Sequence, residues 1–128
     1  MTRDTVRIGC ASAFWGDTSA GAEQLVRRGD IDFLVFDYLA EITMSLLARA
    51  RVRKPELGYV PDFIDALAPL LQEIKQRGLR IVSNAGGINP HAAAAALRGR
   101  AAEAGIAQVR FRQLPGEGMA ERKTAWRS

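Results

Sequence analysis

The 128-residue chain has one cysteine, Cys10, and one histidine, His91. A single cysteine permits no internal disulfide and no cysteine-rich zinc site, so nothing argues for secretion. The opening segment, Met-Thr-Arg-Asp-Thr-Val-Arg-Ile-Gly, lacks the roughly 7–15 consecutive apolar residues of a signal peptide. No run approaches the roughly 20 apolar residues that cross a bilayer, so no membrane partner is expected and a reducing, cytoplasmic setting is. Neither GxGxxG nor GK[ST] occurs, which removes the usual dinucleotide and P-loop signatures and leaves the cofactor unknown. There is no internal sequence repeat, and the low-complexity content is one run of alanines, Ala92–Ala96.

What is present suits one globular domain or a piece of one. Hydrophobic residues make up 48% and charged residues 25%, enough apolar material to build a core. The net charge of +4 invites a polyanion partner until it is located. Residues 107–128 hold five basic and two acidic side chains, leaving 13 and 12 in residues 1–106. The basicity belongs to a short, aperiodic tail, and no nucleic-acid partner is expected.

Short apolar runs alternate with stretches of helical period, the βαβα pattern of a parallel α/β sheet of about four strands with flanking helices, Rossmann-like in its units. The runs Val6–Cys10, Ile31–Asp37, Leu79–Ser83 and Ile106–Phe111 predict the strands. Ile31–Asp37 is almost continuously apolar after Asp32, which predicts that both of its faces are covered. Helices are predicted from an Asp17 or Thr18 cap to Gly29, from Ala40 to Arg53, and from Asp62 to Gly78. A fourth follows from His91 to Ala104, with Asn89 as cap and Pro90 at the first position. Ile42, Leu46, Leu47 and Ala50 form the expected inward stripe of the second helix. Pro69 predicts a kink or break near Ala68, and the proline- and glycine-bearing stretch 54–61 an ordered connection.

Ligands of parallel α/β sheets gather at the carboxyl ends of the strands. In the loop after the third strand, Gly86 and Gly87 can take positive φ and turn backbone N–H groups towards a ligand at a helix N-terminus. An anion held by Asn84, Gly86, Gly87 and Asn89 is one reading; a tight, well-capped βα turn is the other. Asp37 and Glu41, about one helical turn apart, could work as acid and base or hold a hard metal, or could simply favour the start of the second helix. Asp17 carries the same ambiguity. Phe14 and Trp15 are candidates for a pocket wall or for a plug at the sheet end. His91 reads as a surface residue, Cys10 as an inert thiol of a buried strand, and the Arg49–Lys54 cluster as cations at a helix C-terminus.

Four blocks then stand in order: Ala11–Asp17, Ile31–Glu41 followed by Thr43-Met44, Pro55–Tyr59, and Ser83–Pro90. Together they resemble the N-terminal part of the acyclic terpene utilisation family, over about residues 6 to 105. The resemblance implies a role in the breakdown of acyclic terpenes such as citronellol and geraniol, a pathway working on coenzyme A thioesters, through a chemical step that is undefined. It implies a small-molecule substrate, such as a thioester or carboxylate, and a much longer parent protein. Residues 1–106 would then be the opening of a larger α/β domain, inactive alone, and 107–128 an end that has left the family pattern, as a shifted reading frame would produce. Cys10 stands where a glycine is expected. A self-contained small α/β binding or regulatory module is the alternative. A third reading is an interaction subunit whose sheet is completed by another chain or by a homo-oligomer.

Overall fold

The computed structural model describes residues 4–106 and 109–112. The elements run β1 (Ile8–Ser12), α1 (Ala20–Arg28), β2 (Phe33–Phe36), α2 (Glu41–Arg53), α3 (Pro61–Leu67), a 3-10 turn (Ala68–Leu70), α4 (Leu71–Arg77), β3 (Arg80–Ser83) and α5 (Pro90–Glu103). The strands form one parallel sheet in the order β1-β2-β3. The fold is therefore α/β, with three strands among the described residues where the sequence predicts about four. Of the fourth run, Ile106 and Val109–Phe111 are irregular, while 107 and 108 lie outside the described residues. Ile106, Val109 and Phe111 still pack against the core, which explains their apolar character without a ladder.

The long helical stretch after Pro61 breaks where Pro69 requires it. Proline lacks the N–H that a helix interior needs, and the chain bridges the gap with the 3-10 turn before resuming as α4. Gly78 closes α4 in the left-handed region, at φ 65°. Gly29 ends α1 differently, with extended backbone at φ −77°. It is small because a Cβ would stand 2.6 Å from the Leu25 carbonyl oxygen. Helix α1 also starts later than predicted. Ser19 is its cap residue and makes no side-chain bond, while the Thr18 hydroxyl accepts from the Ala20 N–H at 3.2 Å.

The strand order dictates which face of the sheet is covered. Each crossover steps to the next position in the same direction, and crossovers of one hand then place their helices on the same face. Leu34 and Phe36 of β2 point to that face and are fully buried, with Gly9 of β1 set against Leu25 of α1. Helices α1, α3, α4 and α5 and the 3-10 turn supply the rest of the core through Val26, Leu67, Leu70, Ile74 and Leu97. The opposite face has no such cover among the described residues. Ile8, Phe33 and Arg80 stand in one row across it, and Cys10, Val35 and Val82 in the next. Ile8 is 65% exposed, Val82 47%, and Cys10 is exposed as well, so neither the doubly covered β2 nor the buried thiol of the sequence reading holds. An apolar run reads the same whether its second face is covered by this chain or is left open.

Helix α2 is the other departure. Its sequence period puts Ile42, Leu46, Leu47 and Ala50 inward, yet Ile42 is 76% and Leu46 47% exposed. The helix leans on the loops at the carboxyl edge instead of lying along the sheet, burying Leu47 and Thr43, with Leu47 against Gly87. The exposed Cys10 supports a direct check of the bare face. Ellman's reagent should modify one thiol per native chain without denaturant; a reaction that needs denaturant would show the face to be covered.

Candidate functional site

Loops after all three strands meet at the carboxyl edge. The Asp17 carboxylate folds the first of them: Oδ2 accepts the Ala13 N–H at 3.0 Å and Oδ1 the Thr18 N–H at 2.8 Å. Asp37 follows β2 and is exposed; its Oδ1 accepts from the Asn84 amide at 2.7 Å, while the Asn84 carbonyl accepts the Tyr38 N–H at 2.9 Å. One asparagine thereby fixes the exits of β2 and β3 together. Ser83 adds a bond from its hydroxyl to the Phe36 carbonyl at 3.0 Å.

The loop 84–89 is as tight as its glycines suggested. Gly87 takes φ 54°, whereas Gly86 has no positive φ and is small because a Cβ would stand 2.8 Å from the Pro90 Cβ. Asn89 caps α5, accepting from the Ala92 N–H at 3.4 Å, and donates to the Pro55 and Leu57 carbonyls at 3.0 and 2.8 Å. The N–H groups of Gly87, Ile88 and Asn89 go to Asn84, Gly58 and Gly86 carbonyls. Arg51 of α2 adds a bond to the Ile88 carbonyl at 2.8 Å. The loop is thus a clamp that ties 55–58 and α2 to the sheet edge, with the N–H groups of Gly87, Ile88 and Asn89 engaged within the protein. His91 is exposed beyond it, in the first turn of α5.

A cavity of about 260 Å³ opens beside this edge, lined by Asp17, Thr18, Ser19, Phe36, Tyr38, Asp62, Asp65 and Ala66. Of the predicted site residues only Asp17 lines it. Asp37 lies one residue from Tyr38 but outside the lining, Glu41 opens α2, and Phe14 and Trp15 are elsewhere in the first loop. Phe14 is 57% exposed, whereas Trp15 packs against the core. Sequence reading passed over Asp62 and Asp65. Their three-residue spacing at the start of a helix puts them on one side, but acidic residues there are ordinary helix starters. Among the described residues no three His, Cys, Asp or Glu side chains are grouped to hold a metal ion.

The Tyr38 phenol is 4% exposed, and burial pushes it above its ordinary value of 10.0; the Ser12 hydroxyl acts in the opposite direction, and Asp62 and Asp17 add to the rise. A proton held more tightly when folded contributes stability that is fully present below about pH 10 and is lost as pH rises through the folded value. Urea unfolding should give a stability that falls above pH 10, and falls less in Tyr38→Phe.

The model of the acyclic terpene utilisation family protein AtuA matches residues 6–125, almost the whole chain. The chain belongs to the AtuA family. The AtuA match continues through most of the segment from 107 onward, beyond the last of the four quoted blocks. No curated protein and no solved structure matches. The AtuA blocks coincide with the parts that assemble here: the Asp17 loop, the Asp37 strand end, the 55–59 connection and the clamp that holds it. No helix among the described residues is long and apolar enough to cross a membrane.

Proposed function

We propose that this AtuA-family chain forms the substrate-binding front of a larger α/β domain acting in the breakdown of acyclic terpenes of the citronellol and geraniol type. The observation that carries the reading is the combination of family membership with a sheet edge on which Asp17, Asp37 and Asn84 come together. The bare sheet face supports the larger domain. Parallel sheets bury both faces, and covering the second one requires the chain to reverse direction across the sheet. Among the described residues β1 has a free edge, so a further strand added there would make β1 the turning point, where ligands of doubly wound sheets sit. The loop at that point is Ala11–Thr18, which Asp17 organises.

In this reading Asp37 works as the acid or base. Its carboxylate is held by the Asn84 amide and remains open to solvent, which allows it to exchange a proton with a bound substrate. Glu41 joins it as a candidate at the start of α2, and the substrate is a terpenoid carboxylate or its coenzyme A thioester. Deleting the gene from its host should abolish growth on citronellol and geraniol while growth on acetate persists, with the wild-type gene restoring it. Undiminished growth of the deletion strain on both terpenes would contradict the proposal.

A further inference from the structure

We propose that Asn84 is the positioning residue of Asp37: its amide engages Oδ1 of that carboxylate and leaves Oδ2 as the oxygen that meets the substrate. The role rests on the reading of Asp37 as acid or base, and it adds which atom exchanges the proton and what aims it.

Two bonds decide the orientation of the amide. The Tyr38 backbone N–H can only donate, so the Asn84 atom 2.9 Å from it is the side-chain oxygen. The NH2 end therefore faces Asp37, and it donates to Oδ1 at 2.7 Å, the short length of a bond to a charged acceptor. Flipping the amide would lose both bonds at once and set its oxygen against the carboxylate. The backbone on either side is held as well. The Asp37 N–H donates to the Ser12 carbonyl at 3.2 Å, and the Asn84 carbonyl accepts from the Gly87 N–H at 3.1 Å. Next to Asn84, the Ser83 hydroxyl accepts from the Ala85 N–H and donates to the Phe36 carbonyl, each at 3.0 Å. What is left to an aspartate so placed is rotation about its Cβ–Cγ bond, a torsion without sharp staggered wells. The Asn84 amide removes that freedom, as a neighbour that fixes a working group must.

Oδ2 accepts no hydrogen bond, and Asp37 makes no ion pair, among the described residues. A neutral donor orients a carboxylate without cancelling its charge. Proton exchange then runs through Oδ2: its lone pair takes the proton of a substrate O–H or C–H, and the electron pair of the broken bond stays on the substrate. Oδ1 keeps its bond to the amide in both states, because the carbonyl oxygen of a carboxylic acid is still an acceptor. The uncancelled charge also selects what lies against it. A substrate carboxylate there would meet like charge, so a neutral O–H or C–H group faces Asp37 and the carboxylate or thioester end of the terpenoid lies away from it.

The test joins growth of the gene-deletion strain to infrared spectra of the full 128-residue chain. Asn84→Asp keeps the size of the side chain and an oxygen for the Tyr38 N–H, but replaces the donor by a second anion. Asn84→Leu is of similar size, neutral and also without a donor. Each, when folded, should lower the growth rate on citronellol at least about tenfold while growth on acetate persists. Difference spectra against Asp37→Asn isolate the Asp37 carboxylate. The wild-type chain should show the unequal C–O stretches of a carboxylate bound through one oxygen, and Asn84→Leu the more equal pair of a free one. Full growth with folded Asn84→Asp or Asn84→Leu, while Asp37→Asn still fails, would overturn the positioning role and leave the reading of Asp37 standing. Full growth with Asp37→Asn would overturn both. Equal stretches in the wild-type chain would overturn the positioning role even if neither Asn84 variant folds.

Discussion

Phe36→Ala should cost about 4 kcal/mol and lower the unfolding temperature by about 15 °C. Phe36 is 2% exposed at the centre of the covered sheet face, where it meets the Phe63 ring edge-on at 5.1 Å and stacks beside Tyr38 at 6.0 Å. Truncation removes the transfer free energy of the ring and leaves a void between β2 and α3 that neither neighbour can fill without moving. The loss is a large share of the roughly 5–15 kcal/mol that holds a domain folded. Val82→Ala, on the bare face of the same sheet, should cost less than about 1 kcal/mol, because a side chain already 47% exposed has little burial to lose. Urea unfolding of the two variants measures the contrast. Equal losses would mean that the second face is covered in solution.

Gly87→Ala should cost about 3 kcal/mol. The residue sits at φ 54°, where an L side chain pays roughly 1–2 kcal/mol, and its Cβ would stand 2.6 Å from both the Gly58 carbonyl oxygen and the Leu47 side chain. The leucine end can turn aside; the carbonyl cannot, because it accepts the Ile88 N–H in the clamp. Overpacking of this kind adds roughly 1–3 kcal/mol. Gly78→Ala separates the two contributions. It has a similar φ of 65° with nothing within 4 Å of its Cβ, so it should show the backbone cost alone. Since Leu47 anchors α2, hydrogen exchange in α2 should rise in Gly87→Ala and stay unchanged in Gly78→Ala.

The parts of this fold that depend on local chemistry were legible. Pro69 breaks its helix, Asn89 and Pro90 start α5, and Gly78 stops α4, each for a reason contained in a few consecutive residues. What depends on distant partners was not. Ile42 and Leu46 repeat at helical spacing whether α2 lies on a sheet or against a loop, and the apolar run of β2 does not reveal whether anything covers its second face. The same limit applies to the site. Loop position alone brought Asp17, Asp37 and Asn84 to one edge, but nothing within Asn84–Asn89 indicates that Gly58, Pro55 and Leu57 take up its hydrogen bonds. Asp62 joins Asp17 only through the fold, across 45 residues of sequence.

The most direct test of the carboxyl-edge site uses the gene-deletion strain. Asp37→Asn keeps the shape of the side chain and removes its charge; Asp30→Asn makes the same change beside Arg7, at the opposite end of the sheet. With both proteins folded and equally abundant, growth on citronellol should be restored by Asp30→Asn and not by Asp37→Asn. Full restoration by Asp37→Asn would contradict the account.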